Sequence, residues 1–174
     1  MDQPGREAFH AFVVARSSAL LRTAYLLTGN RADAEDLLQA TLAKTYLAWD
    51  RIREREALDG YVRRTMINTQ NSFWRRKRPE SLYDEVPDAP GRDVPADSDL
   101  HDALWGALAQ LSGKQRAMVV LRYYEDLSEA DTASVLGVSV GTVKSTTSRA
   151  LSKLRDDPAL RDDPRAALPA GALT

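Results

Sequence analysis

The sequence predicts an all-α protein of two small helical domains joined by an acidic, flexible linker. Three observations carry this. Apolar residues recur at spacings of three, four and seven along most of the chain, the period of one helical face. No stretch shows the strict alternation of a half-buried strand. The longest break in the helical patterns is "RPESLYDEVPDAPGRDVPADSD", which holds four Pro, one Gly and few large apolar residues. Such a segment buries too little apolar surface to offset the entropy of ordering it. A length of 174 residues suits one or two small domains.

Taken in order, the first helix is expected over Arg6 to Leu27, where Phe9, Phe12, Val13, Leu20, Ala24 and Leu27 share a face. Gly29-Asn30 ends it. A second helix follows from Ala32 to Trp49, with Leu37, Leu38, Leu42 and Tyr46 as its stripe. "DRIRERE", Asp50 to Glu56, reads as a polar loop. A third helix spans Leu58 to Arg76, carries Tyr61, Val62, Met66, Ile67, Phe73 and Trp74, and is stopped by Pro79. Beyond the linker, helices are expected over Asp99–Leu111 and Lys114–Tyr124, with two more inside "LSEADTASVLGVSVGTVKSTTSRALSKLR", Leu127 to Arg155. The residues after Asp156 are rich in Pro, Ala and Asp and read as a frayed tail.

Composition excludes several chemistries. There is no Cys, so disulfides, thiolate metal sites and cysteine nucleophiles are out. No apolar run approaches the ~18–20 residues a membrane span needs, and "MDQPGREAFHAF" is not the pattern of a signal peptide. A cytoplasmic protein with no membrane insertion is the expectation. The net charge of −1 hides a partition. Arg51 to Arg78 has nine basic residues against three acids, Pro79 to Asp102 has eight acids against Arg92 alone, and Gly113 to Arg155 has seven basic against four acidic. Charge therefore alternates basic, acidic, basic along the chain.

The stretch from Leu127 is the sharpest local signal. Ser128 with Asp131 reads as a capping box, Ala130, Ala133 and Leu136 as a small apolar face, and Gly137 as a left-handed stop. Ser139 then caps a second helix whose Val143, Ala150, Leu151 and Leu154 point inward. Helix, tight glycine turn, helix is the DNA-binding helix-turn-helix pattern, whose second helix enters the major groove. Thr142, Lys144, Ser145, Thr146, Thr147, Ser148 and Arg149 would lead it, and hydroxyls with cations suit phosphates and base edges.

The third helix has two readings. Tyr61, Arg63, Arg64, Asn68, Asn71, Phe73, Trp74, Arg75 and Arg76 mix cations with aromatics, as single-stranded nucleic acid prefers. The same residues also suit a core with a solvated basic helix end. The acidic cluster Asp33, Glu35 and Asp36 likewise admits a helix-start role beside Asn30, or docking on a basic partner.

The order "DAEDLLQATLAKTYLAW", "YVRRTMINTQNSFWRRKR", acidic Pro-rich linker and "LSEADTASVLGVSVGTVKSTTSRALSKLR" resembles a bacterial RNA polymerase sigma factor. The short length resembles the extracytoplasmic-function group, and "GTVKSTTSRAL" is similar to its actinobacterial SigE-type members. The resemblance implies region 2 over 6–78, a linker over 79–98, region 4 over 99–156 and a disordered tail over 157–174. It implies that Asp33, Glu35, Asp36 and Gln39 dock on the clamp helices of the largest subunit of core polymerase. Region 4 would meet the flap of the second-largest subunit. Arg51 to Leu58 would form the loop that holds an extruded base of the −10 element, with Arg51, Arg53, Tyr61, Arg64, Asn68, Asn71, Trp74, Arg75 and Arg76 as the −10 set. Thr142, Lys144, Ser145, Thr146, Ser148 and Arg149 would read the −35 duplex. Many relatives carry Arg or Lys at Thr146 and an apolar or aromatic residue near Ser148, which weakens transfer of −35 sequence preference; Tyr61 in place of Trp is a mild change.

The implied function is a transcription initiation factor that directs core polymerase to particular promoters, without catalytic chemistry, cofactor or metal. Promoter DNA and core polymerase are its partners; an anti-sigma factor is a further one, which would have to cover the docking surface, the recognition helix, or both. Two alternatives stand beside it. A stand-alone helix-turn-helix regulator would bind duplex tightly by itself, and a metal-dependent nuclease would use Asp33, Glu35 and Asp36.

Overall fold

The structure, a computed structural model, describes residues 2–52, 55–77 and 105–156, with the backbone alone at 55–56 and 74–77. The linker, the tail, Arg53, and the side chains of Trp74, Arg75 and Arg76 lie outside the described residues. The described residues are helical throughout apart from turns, and no helix among them is long and apolar enough to cross a membrane. The chain divides into two compact units, residues 1–80 and 81–174.

In the first unit α1 (Gln3–Thr28) and α2 (Arg31–Ala48) form a hairpin, and α3 (Arg55–Lys77) packs on α2. α1 starts three residues before the expected Arg6, because Asp2 caps it by accepting from the Gly5 amide (2.9 Å) and Pro4 suits a first turn. Gly29 ends it at φ 87°, a left-handed conformation that a Cβ would strain. The core is Leu20, Ala24, Leu26 and Leu27 against Ala34, Leu37 and Leu38, closed by Val62, Met66 and Ile67.

The buried face of α2 differs from the expected stripe. Thr41 and Thr45 are fully buried, whereas Tyr46 is 40 % exposed and Leu42 only half-buried. The reason is chemical. Each threonine hydroxyl donates to the carbonyl four residues back, Thr41 to Leu37 (2.7 Å) and Thr45 to Thr41 (2.8 Å). With its hydrogen bond made locally, threonine can sit in a core. Tyr46 instead joins a ring cluster at the α1 start: Phe9 meets Tyr46 and Trp49 edge-on, with centroids 5.1 and 5.0 Å apart.

Part of "DRIRERE" is helical where a loop was expected. A 3₁₀ turn, Trp49–Arg51, extends α2, and α3 already begins at Arg55, so Arg55 to Leu58 are helical.

The second unit begins with a helical segment, 105–109, whose start lies outside the described residues. Then come α4 (Gly113–Val119), a π-helical turn Val120–Tyr124, α5 (Glu129–Leu136) and α6 (Val140–Arg155). The reciprocal capping box is at Ser112 and Gln115, at the start of α4. At Ser128 the hydroxyl accepts from the Asp131 amide (3.0 Å) and donates to the Asp131 carboxylate (2.5 Å), so the second arm of the expected box is absent there. The wider π turn is closed by Glu125 N–H to Val120 C=O (3.0 Å), and the Arg122 guanidinium donates to the Leu127 carbonyl. Asp126, at φ 51°, takes the left-handed position there, which Asp tolerates better than most side chains.

One side chain organises this unit. Arg116 is only 4 % exposed. Its Nε donates to Leu108 O (2.9 Å), its Nη2 to Leu111 O (3.2 Å) and Ala109 O (3.4 Å), and it lies 4.5 Å from the Trp105 ring centroid. Leu108 O also accepts from the Leu111 amide (3.1 Å), so the guanidinium reinforces one carbonyl and caps two more at and just beyond the end of segment 105–109. Burial lowers the guanidinium pKa to about 10, so it stays charged at neutral pH and acts as a cationic C-cap.

Candidate polymerase-docking and nucleic-acid interfaces

The acidic start of α2 resolves into three different environments. Asn30 is the N-cap and accepts from the Asp33 amide (2.8 Å), while its own amide donates to the Asp33 carboxylate (2.8 Å). Asp33 is thereby half-buried in the cap. Glu35 is paired with Arg31 (2.7 Å) on an exposed surface, where such a pair contributes little. Asp36 and Gln39 are exposed and share a face at i, i+3. Asp36 has no intramolecular partner among the described residues, so it is the carboxylate most available to another molecule. Among those residues no group of three or more His, Asp or Glu could hold a metal ion.

Two turns further along α2 is an open cleft of about 430 Å3. Lys44, Leu47 and Ala48 of α2 and Arg51 of the 3₁₀ turn form one wall, and Tyr61, Thr65 and Asn68 of α3 the other. Each wall is an i, i+4, i+7 stripe, which is how two packed helices present a shared groove. The cleft brings together three of the expected −10 residues, Arg51, Tyr61 and Asn68. Arg64 and Asn71 are exposed on the same stripe of α3, outside the cleft lining. Lys44 and Thr65 are lining residues that sequence reasoning missed. The spacing 44, 48, 51 against 61, 65, 68 was the signal available for them.

In the second unit, α5 and α6 form the helix-turn-helix. Gly137, at φ 66°, ends α5, and its amide and that of Val138 (3.1 Å) both bond Ala133 O. Ser139 caps α6 by accepting from the Thr142 amide (3.1 Å), with the two hydroxyls 2.8 Å apart. Thr132, Ala133 and Val135 form the inner face of α5, and Ala130 points outward, contrary to the sequence expectation. An eight-residue helix starting at Ser128 needs its 132/133/135 face for α6, which turns residue 130 to solvent.

On α6, Val143, Thr147, Ala150, Leu151 and Leu154 are buried. Lys144, Ser145, Ser148 and Arg149 are exposed, and Thr142 and Thr146 are half-buried. Three of these are already engaged. The Thr142 hydroxyl bonds that of Ser139, Lys144 pairs with Glu129 of α5 (3.5 Å), and Ser145 donates to Thr142 O (3.3 Å). Arg149 has no intramolecular partner among the described residues.

Comparison with known proteins agrees with this geometry. Residues 4–80 match the family model described as Sigma-70 region 2, and residues 101–154 match Sigma-70, region 4. The RNA polymerase sigma-E factor of Streptomyces coelicolor is 44% identical over 155 residues, 88% of each chain. The ECF RNA polymerase sigma factor SigL of Mycobacterium tuberculosis is 36% identical over 154 residues, 80% of this chain and 82% of that one. Among solved structures, the sigma factor RpoE in complex with the anti-sigma factor NepR from Bartonella quintana is similar with a TM-score of 0.69 at 27% identity, covering 90% of this chain and 99% of RpoE. The chain belongs to the RNA polymerase sigma factors of the extracytoplasmic-function group, non-enzymatic factors of promoter recognition and transcription initiation built from regions 2 and 4.

Proposed function

We propose that the two units divide the work of promoter opening. Asp36 and Gln39, with Glu35 beside them, dock α2 on a basic surface of core polymerase, the clamp helices of its largest subunit. Asp33 supports that surface from the cap. The α2–α3 cleft receives a base extruded from the −10 element, with Arg51, Tyr61 and Asn68 lining it and Arg64 and Asn71 along the adjoining strand path. The exposed face of α6 reads the −35 duplex through Lys144, Ser145, Ser148 and Arg149, while the second unit meets the polymerase flap. The place of action is the cytoplasm. An anti-sigma factor is a further proposed partner, since the similar RpoE was crystallised with one.

The observation that supports this reading best is the cleft. It pairs two cations with hydroxyls, an amide and an aromatic ring, and no carboxylate lines it among the described residues. Extruding a base costs a few kcal/mol, and a pocket of that chemistry can offset the cost for a fitting base. The test is transcription in vitro with core polymerase and mapped 5′ ends. Promoter-specific transcripts that depend on this chain are expected. Their absence, with the chain associated with core, would refute the reading.

The −35 assignment has its own test. Arg149→Ala and Lys144→Ala are each expected to weaken promoter selection by about 1–3 kcal/mol where a base contact is lost. Lys144→Ala also removes the ion pair that orients its ammonium against Glu129. A run of single-base −35 variants separates base contact from phosphate contact: loss of discrimination at one position marks the former, a uniform loss with a smaller salt dependence the latter. Unchanged transcription from a mapped promoter would remove the residue from the interface.

A further inference from the structure

Lys44 stands on the helix whose other end carries the docking carboxylates, so nothing in its sequence context assigns it to nucleic acid. Its surroundings do. The Lys44 ammonium donates to the Thr69 hydroxyl (2.8 Å). Thr69 is 1 % exposed and spends its own proton on Thr65 O (2.7 Å), so it can only accept from the lysine. The ammonium is thus tethered at the wall of the cleft, with two further N–H groups to give and no acceptor supplied by the cleft's other cation, Arg51.

Resting on the cleft as the site of an extruded base, we propose that Lys44 is a nucleotide-binding residue and favours guanine or thymine there, by donating to guanine O6 or thymine O4. An ammonium only donates. Guanine offers O6 beside N7 and thymine offers O4, whereas adenine and cytosine carry an amine at the same place, so a fixed donor there meets another donor. Leu47 and Ala48 supply apolar contact for the base on the same wall. The tether matters because a free lysine would follow any phosphate, whereas one held by Thr69 discriminates by position.

The test uses holoenzyme assembled from the full chain and core polymerase. Fluorescent fork-junction probes carry a duplex −35 region and a single-stranded non-template −10 region, with each of the four bases placed in turn at each −10 position. For the wild type, one position is expected to disfavour adenine and cytosine against guanine and thymine by about tenfold, the scale of one good base contact. Lys44→Met should reduce that preference to less than about threefold, with melting temperature and core association unchanged. Thr69→Val keeps the buried shape but removes the acceptor, and should relax the preference in the same direction. Retention of the preference in Lys44→Met overturns the inference, as does an equal loss for all four bases, which marks a nonspecific charge. If the wild type has no base preference at any position and Arg51→Ala and Asn68→Ala change nothing, the cleft itself is not the base site, and that separate failure is visible in the same experiment.

Discussion

An Asp36→Arg variant is expected to lose association with core polymerase while melting as the wild type does. Asp36 is exposed, lies beyond the first turn of α2, and has no intramolecular partner among the described residues. A substitution there should change stability by no more than about 0.5 kcal/mol. At the interface the effect is different in kind. A cation brought against a basic docking surface costs several kcal/mol, and even about 3 kcal/mol is a loss of more than ~100-fold in affinity. Glu35→Arg should do less, because Arg31 already neutralises Glu35. Asp33→Ala should do something else again, namely weaken the α2 cap by about 1 kcal/mol. Co-purification with core enzyme, read beside a thermal melt, separates the three. Full core binding by Asp36→Arg would sink the docking assignment.

The largest expected effect on stability is at Arg116. Arg116→Met keeps an unbranched apolar stem but takes the guanidinium from Ala109 O and Leu111 O, leaves Leu108 O with the Leu111 amide alone, and removes the cation from the Trp105 ring. A buried carbonyl left unpaired costs about 1–3 kcal/mol, so a loss of about 2–3 kcal/mol is expected. For a unit this small that is a fall of roughly 10 °C in melting temperature. Arg116→Lys keeps the charge but has no planar fork, and should recover only part of it. The functional signature is selective: −35-dependent transcription should fail while core association through α2 persists. Differential scanning calorimetry and hydrogen exchange over α4 to α6 measure the first part, and a wild-type melt would show that the cap is dispensable.

Arg116 also illustrates what the sequence left unread. By charge count it belonged to a basic surface, and only the end of segment 105–109 makes it a buried cap. The helices themselves were legible, because apolar spacing and the punctuation at Gly29, Gly137, Ser128 and Ser139 are local signals. Their edges were less so. "RIRERE" is polar enough for a loop, yet α3 claims it from Arg55 onward. Thr41 and Thr45 stood outside the apolar stripe because their burial depends on hydroxyls bonded four residues back. The acidic cluster read as one feature, but capping, ion pairing and exposure split Asp33, Glu35 and Asp36. Lys44 was hidden for the opposite reason: its tether, Thr69, is 25 positions away.

The joint between α1 and α2 is two residues, Gly29 and Asn30, and the packing in the first unit runs from α1 to α2 and from α2 to α3. Contacts so close in sequence form quickly; topologies of this kind fold in microseconds to milliseconds. A ribosome adds only about 5–20 residues per second. Once α3 has left the exit tunnel, the rest of the chain takes seconds to make, so the face bearing Asp36 matures while α5 and α6 are still untranslated. A stalled nascent chain that exposes residues 1–80 should already capture core polymerase from solution, which places assembly of this factor on its enzyme as early as synthesis itself.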